Sequence, residues 1–475
     1  MADQSFVLPC SPSILRLDRF DVVGSDEPEV PFWQILSGLL EESLHSVRDS
    51  ASLIDLLQTI SVVLHGEAAK NYEFLREFLD QHLTKFTPEP SKFIVSTWPR
   101  LVSLALQLPS LFPTDTIPPF QGDETRQLIF SRRHVACLVV HQFLCSLPAH
   151  PWQTESFVDL SPWYSRGEAM HQGAVQAYLT ALFTYFEAIG ADESNNGILH
   201  HSVEDWPIIF KLSERAESTA SSLLRNMAAS LSRLTVIQLP HESTDIPYLG
   251  LPDGACVISA NKCVGSGATG TQEELHVLIC QGAEAMVTIK GHGRRASLDK
   301  ILHTRSPSSS ANWRSRTMLF MDALELDLVV RALPHGGENI PDLMPSSPHR
   351  ELAKAYTAFC SHSKGTIQTP YSFATTGNWG CGAFGGNKQV KAIIQWCAAS
   401  MANVPELRYV LGGAEQKRFG EELSRFVGQV AEYTGKALEP RDLFNALTRL
   451  SEDIQIGKAR VPNPDEIFEY IWSNL

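Results

Sequence analysis

Along the first part of the chain, apolar residues recur three and four positions apart. After Pro31, a residue suited to a first helical turn, Phe32, Ile35, Leu36, Leu39, Leu40 and Leu44 mark one helix. Leu53, Leu56, Leu57, Ile60 and Leu64 mark a second, with Ser50 or Ser52 as its cap and Gly66 as its stop. The spacing returns over residues 128–144 and 175–186, where Val175, Tyr178, Leu179, Leu182, Phe183 and Phe186 share a face and Gly190 closes the helix. Stripes of this kind are core. Residues 1–205 therefore read as a helical region with proline-rich connectors around 108–119, and residues 213–232 add one more helix. Beyond them the pattern shortens to β-type runs at 234–239, 255–259, 286–290, 317–321 and 407–411, separated by helical stretches. That alternation predicts an α/β layer over residues 206–475, with a mainly parallel or mixed sheet. Val390, Ile393, Ile394, Cys397 and Met401 form a helix starting on Gly385 and Gly386, and the chain reads helical again after Gly412. No internal repeat is visible.

Composition narrows the class. With 475 residues and 43% apolar content the chain can bury a large core. No apolar run approaches a membrane span, and MADQSFVLPCSPS at the start lacks the basic-then-apolar order of a signal peptide, so an intracellular site is expected. Nine cysteines without paired spacing read as buried free thiols, not disulfides or a zinc site. A net charge of −14 argues against broad electrostatic binding of a polyanion such as DNA. An anionic polymer would have to be gripped locally, by loops and helix ends.

Two stretches offer such a grip. In ACVISANKCVGSGATGTQEE, residues 255–274, a strand breaks into a loop with Gly265, Gly267 and Gly270, followed by the carboxylates Glu273 and Glu274. In SFATTGNWGCGAFGG, residues 372–386, a short apolar run again passes through glycines into a helix, whose first N–H groups would face whatever the loop holds. Backbone amides of glycine approach a phosphate where a Cβ would hold it off, and adjacent glutamates can do acid/base work beside it. Two arms closing on one diphosphate are expected. Neither loop fits G-x-x-x-x-G-K-[ST] or a G-x-G-x-x-G that opens a βαβ unit, which removes nucleotide triphosphatases and dinucleotide dehydrogenases. Residues 294–316, rich in Ser and Arg, read as an exposed loop, with a lid over the site as the alternative.

VGSGATGTQEEL, residues 264–275, resembles the signature of poly(ADP-ribose) glycohydrolases, and ATTGNWGCGAFGGN, residues 374–387, is similar to that family's second loop. Weaker likeness runs through LPCSP, HVACLVVHQFLCSL, SVEDWP, MDALEL and RELAKAY. The resemblance implies a macrodomain-like mixed sheet between helices, preceded by a helical accessory region. It further implies hydrolysis of ribose-ribose O-glycosidic bonds in poly(ADP-ribose), with ADP-ribose as product and no metal or cofactor. ADP-ribosylated proteins would be partners, the DNA damage response a setting, and nucleus or cytoplasm the location.

Residue by residue, the resemblance makes Glu274 the acid that protonates the leaving ribose oxygen and then activates water, with Glu273 holding the ribose hydroxyls. Asn261 lies beside the ribose, Gln272 opens the catalytic triplet, and Gly265 and Gly267 pack on ribose and phosphate. Gly382, Ala383 and Phe384 wrap the diphosphate, Asn378 fixes that loop, and Glu242 contacts adenine. As plain core, Trp379 and Phe384 would need no ligand. Four positions depart from the family pattern. Ile258 stands where an aspartate is usual, the Gly265-Ser266-Gly267 triplet runs into Gln272 after only Ala268 to Thr271, residues 286–322 hold no tyrosine, and Leu411 replaces a phenylalanine. A non-catalytic ADP-ribose reader is the alternative, supported by Ile258 and Ser266.

Overall fold

The computed structural model describes residues 5–67, 71–84, 93–118, 127–149, 160–165, 172–191, 207–211, 223, 226–239, 254–260, 317–326, 340–344, 346–360, 371–382, 384–458 and 463–475. They fall into two compact units, one within Met1–Leu212, the other within Ser213–Lys262 and Asp299–Leu475.

The first unit is helical. It contains α1 (Phe32–Ser46), α2 (Ser50–His65), α3 (Glu73–Thr84), α4 (Trp98–Ala105), α5 (Leu108–Leu111), α6 (Arg132–Phe143) and α7 (Gln172–Ala191). Three antiparallel ribbons accompany them: β1 (Phe6–Val7) with β4 (Thr116–Ile117), β2 (Leu15–Leu17) with β3 (Glu29–Pro31), and β5 (Gln127–Ser131) with β6 (Pro207–Lys211). The expected stripes of α1 and α2 face the core except for Leu44, which is exposed, and Val175, Leu179, Leu182, Phe183 and Phe186 of α7 are buried; there Phe143, Phe183 and Phe186 meet edge to face at 5.3 to 5.8 Å between ring centroids.

Sequence and structure differ at three places here. Asp49, not Ser50 or Ser52, caps α2: its carboxylate accepts from Ser52 N at 2.8 Å, and Ser52 Oγ accepts from Asp49 N at 3.1 Å. The helical stretch at 128–144 is two elements, because the Ser131 side chain caps α6 and the residues before it pair with β6, a partner far along the chain. Helix α7 passes through Gly190 to Ala191. Gly66 does stop α2, at φ 85°.

The second unit is built on β7 (Arg233–Leu239), β8 (Ala255–Ala260), β9 (Thr317–Asp322), β10 (Ala374–Thr376) and β11 (Glu406–Gly412), ordered β7-β11-β10-β8-β9. All four ladders are parallel, which is one of the two sheet types expected. The runs at 234–239, 255–259, 317–321 and 407–411 are strands as expected; 286–290 and 294–316 lie outside the described residues, as does most of 213–232. Helices α8 (Ser347–Phe359), α9 (Lys388–Met401), α10 (Lys417–Ala431), α11 (Pro440–Gln455) and α12 (Ile467–Ser473) complete the unit. Helix α9 is buried from Gln389 to Met401, and its apolar residues join Leu407, Tyr409 and Leu411 of β11 in the core. Parallel strands end on one edge, so the segments leaving β8 and β10, the two glycine stretches, both start there.

The described cysteines are free thiols, and Cys137, Cys145, Cys256, Cys360 and Cys397 are buried. Among the described residues no helix is long and apolar enough to cross a membrane.

Candidate functional site

The second glycine stretch leaves β10, whose three residues are all buried, and closes on itself before α9. Gly377 O accepts from Trp379 N at 2.8 Å and from the Gln395 amide of α9 at 3.2 Å, Cys381 N donates to Asn378 O at 3.1 Å, and Gly386 N donates to Gly380 O at 2.9 Å. The turn is thus tied at both ends.

Its glycines are there for different reasons. Gly380 has φ +72° and a Cβ there would lie 2.6 Å from Ala323 Cβ; at Gly386 a Cβ would lie 2.6 Å from Gly380 O. Gly385 has φ 69°. The fold itself requires glycine at these positions. Gly382 has neither constraint: it is exposed, and among the described residues a Cβ there would meet nothing within 4 Å. Among the described residues, then, nothing in the fold requires glycine at 382, as is also true of Gly412 and Gly428.

Helix α9 starts at an Asn387 cap whose side chain accepts from Gln389 N at 2.9 Å and Val390 N at 3.0 Å, while Asn387 N donates to the buried Asp342 carboxylate. Those first N–H groups are therefore satisfied inside the protein, unlike the expectation that they face a ligand. Any anion on this loop is left to amides of the turn itself.

Beneath the turn lies a charged cluster. Lys391 of α9 is fully buried; its Nζ pairs with Glu351 of α8 and, at 3.4 Å, with Asp342, and sits 4.8 Å from the centre of the Trp379 ring. Arg350 pairs with Glu351 and Asp322, and Lys354 with Asp322. Burial pushes the Asp342 carboxyl up; for Asp322 burial is outweighed by Lys354 and Arg350, which hold it below the ordinary carboxylate range. Burial also raises the Cys381 thiol, leaving it protonated at neutral pH.

Asn378 is tied to the strand beside it: Tyr409 OH donates to Asn378 Oδ1 at 3.2 Å, and Asn378 Nδ2 donates to Gln416 Oε1 at 3.0 Å, which also accepts from Lys388 Nζ at 2.9 Å. Trp379 is a core aromatic, 1% exposed, with its indole N–H on Met321 O at 3.0 Å. Phe384 is half-buried and packs on the same core. A cleft of about 420 Å³ flanks the turn, lined among others by Gly385, Gly386, Lys388, Arg418 and Phe419. Arg418 there is already engaged by Glu422 and Asp465.

Of the expected site residues, the structure brings Asn378, Gly382 and Phe384 together in one turn. Glu242, Asn261, Gly265, Gly267, Gln272, Glu273, Glu274 and Ala383 lie outside the described residues. Two departures from the family pattern fall on core positions, Ile258 in β8 and Leu411 in β11, each 1% exposed. Sequence reasoning passed over Lys391, Asp342, Glu351 and Gln395. The available signal was a lysine set between Val390 and the run Ala392, Ile393, Ile394 of α9. Among the described residues no group of three or more His, Cys, Asp or Glu could hold a metal ion.

Two family profiles match the chain. One, described as poly (ADP-ribose) glycohydrolase (PARG), Macro domain fold, matches residues 268–419, and the other, poly (ADP-ribose) glycohydrolase (PARG), helical domain, matches residues 87–202. Together they span more than half of the chain. Among curated proteins, poly(ADP-ribose) glycohydrolase 1 of Arabidopsis thaliana is 44% identical over 52 residues, 11% of this chain and 10% of that protein. Probable poly(ADP-ribose) glycohydrolase 2 of the same plant is 33% identical over 79 residues, 16% of this chain and 14% of that protein. These alignments thus span only a small part of either relative.

Proposed function

The chain belongs to the poly(ADP-ribose) glycohydrolase family, and from that premise we propose that it hydrolyses ribose-ribose O-glycosidic bonds in poly(ADP-ribose) and releases ADP-ribose. Within that reading, residues 1–205 are the helical accessory region and residues 206–475 the catalytic domain. Poly(ADP-ribose) and ADP-ribosylated proteins are its partners, in nucleus or cytoplasm.

The observation that carries the proposal is Gly382. It lies exposed in a turn at the C-terminal edge of a parallel sheet, where the described residues leave its backbone open to a close-lying ligand. A diphosphate suits amides of that kind. The macrodomain match spans this turn and also Glu273 and Glu274.

Cleavage of a glycosidic bond passes through a cation-like sugar, so an acid at the leaving oxygen and negative charge nearby both lower the barrier. Glu274 protonates the leaving ribose oxygen and, once ionised, takes a proton from the attacking water. Glu273 holds the ribose hydroxyls of the terminal unit. Two adjacent carboxylates raise one another's pKa, which favours a protonated acid near neutrality.

Incubating the purified protein with poly(ADP-ribose), and following polymer length and free ADP-ribose, tests this. Wild type is expected to release ADP-ribose, and Glu274→Gln to bind it without release, since the amide cannot donate the proton. Binding without release by both proteins would make the chain a reader of ADP-ribose instead.

A further inference from the structure

We propose that Lys391 is the positioning residue of the second glycine turn, fixing from beneath the backbone that holds a diphosphate, without touching the ligand itself. Naming that ligand rests on the glycohydrolase reading; the hold on the turn does not.

Three observations converge on this lysine. Its stem lies under both ends of the turn. A Cβ on Gly380 would come within 3.3 Å of Lys391 Nζ, and one on Gly386 within 2.9 Å of Lys391 Cε, the two glycines being bridged by the Gly386 N to Gly380 O bond. Its ammonium faces the Trp379 ring inside the same turn. Its carboxylate partners come from separate elements, Glu351 on α8 and Asp342 in the short turn Pro341–Leu343. Asp342 also accepts the Asn387 amide, so one side chain ties the lysine and the end of the turn to a single point.

The charge count decides what Lys391 does. An ammonium that commits two donors to carboxylates, faces the Trp379 ring and is wholly removed from water is closed off from a phosphate. Its charge is spent inside the protein. A buried ion cluster is a poor source of stability compared with apolar packing, but it fixes geometry strictly, because each member must stay within bonding distance of the others. That strictness is what a turn needs if its amides are to converge on one anion.

Hydrogen exchange on the full chain, wild type against Lys391→Met, tests the hold directly. The Cys381, Gly385 and Gly386 amides are expected to exchange at least about tenfold faster in the variant, while those of Leu407 to Leu411 in β11 keep their protection. Affinity for ADP-ribose should fall in parallel by roughly tenfold or more. Should Lys391→Met fail to fold, Lys391→Met with Glu351→Gln, which removes one buried charge of each sign, gives the same readout. Unchanged exchange in the turn, or a loss of protection spread equally over β11, would overturn the proposal. If the wild type bound no ADP-ribose while the turn still loosened in the variant, the glycohydrolase reading would fall and the role of Lys391 would stand.

Discussion

Among the described residues both units bury neutral polar groups, but only the α/β unit buries full charges. In the helical unit His141 is wholly buried between Ser146 Oγ, 2.7 Å from Nδ1, and Ala105 O, 3.1 Å from Nε2. A carbonyl can only accept, so Nε2 carries a proton, and burial keeps the ring neutral, which leaves Nδ1 as an acceptor facing the Ser146 hydroxyl, itself also 3.2 Å from His141 O. Burial drives its pKa down to about 4. The α/β unit in addition buries full charges, Lys391 with Glu351 and Asp342, beneath the turn that carries the exposed Gly382. A neutral group with all its bonds made is ordinary core construction. Charges brought inside carry a desolvation cost and must keep their partners within bonding distance, which is the geometry proposed above for the turn.

Three experiments press on that contrast. The largest effect is expected from Glu351→Ala, which strips Lys391 of its nearer partner and leaves Arg350 with Asp322 alone; denaturant unfolding should show a loss of about 3–5 kcal/mol. A loss below about 1 kcal/mol would mean the cluster is solvated and the contrast false. Next comes His141. Its folded pKa lies below the ordinary 6.5, so between pH 6.5 and about 4 the unfolded chain binds the proton that the native protein refuses. Stability from this group is therefore complete above pH 6.5 and lost as pH falls through that window, by about 3 kcal/mol in all. His134, also lowered by burial, acts in the same direction. Unfolding midpoints measured across the window should slope less steeply in His141→Gln than in wild type.

The smallest effect on stability is expected from Gly382→Val, within about 0.5 kcal/mol of wild type, because the new side chain points into open space. Calorimetry should nevertheless show ADP-ribose affinity falling by roughly tenfold or more, as the side chain occupies ground the diphosphate needs. Unaltered affinity would take that turn out of the binding site.

Much of the scaffold could be read from the chain, because short runs such as Leu234 to Leu239 and the stripe of α9 are local signals. What could not be read depended on distant partners. Strand β10 is only Ala374 to Thr376, too short to mark itself as a strand among the β-type runs, and β8 and β11 flank it. β5 looked helical until paired with β6. In the site, the glycines were visible but not their reasons, since the contact at Gly380 comes from Ala323 and the freedom at Gly382 from empty space. Lys391 was hidden in the same way: its nearer carboxylate partner is 40 residues away in sequence.

The sheet order also sets a timetable for synthesis. Among the described residues β7 is joined only to β11, and Thr235 reaches Glu406 across 171 residues of chain. At about 5–20 residues per second, β7 leaves the ribosome on the order of ten seconds or more before its partner exists. The helical unit, by contrast, draws its ribbons and helices from residues made before β7. Until β11 emerges, Leu234 and Val236 sit on a strand with no neighbour to pair with. The turn that carries Gly382 thus acquires its frame only once β11 has been made.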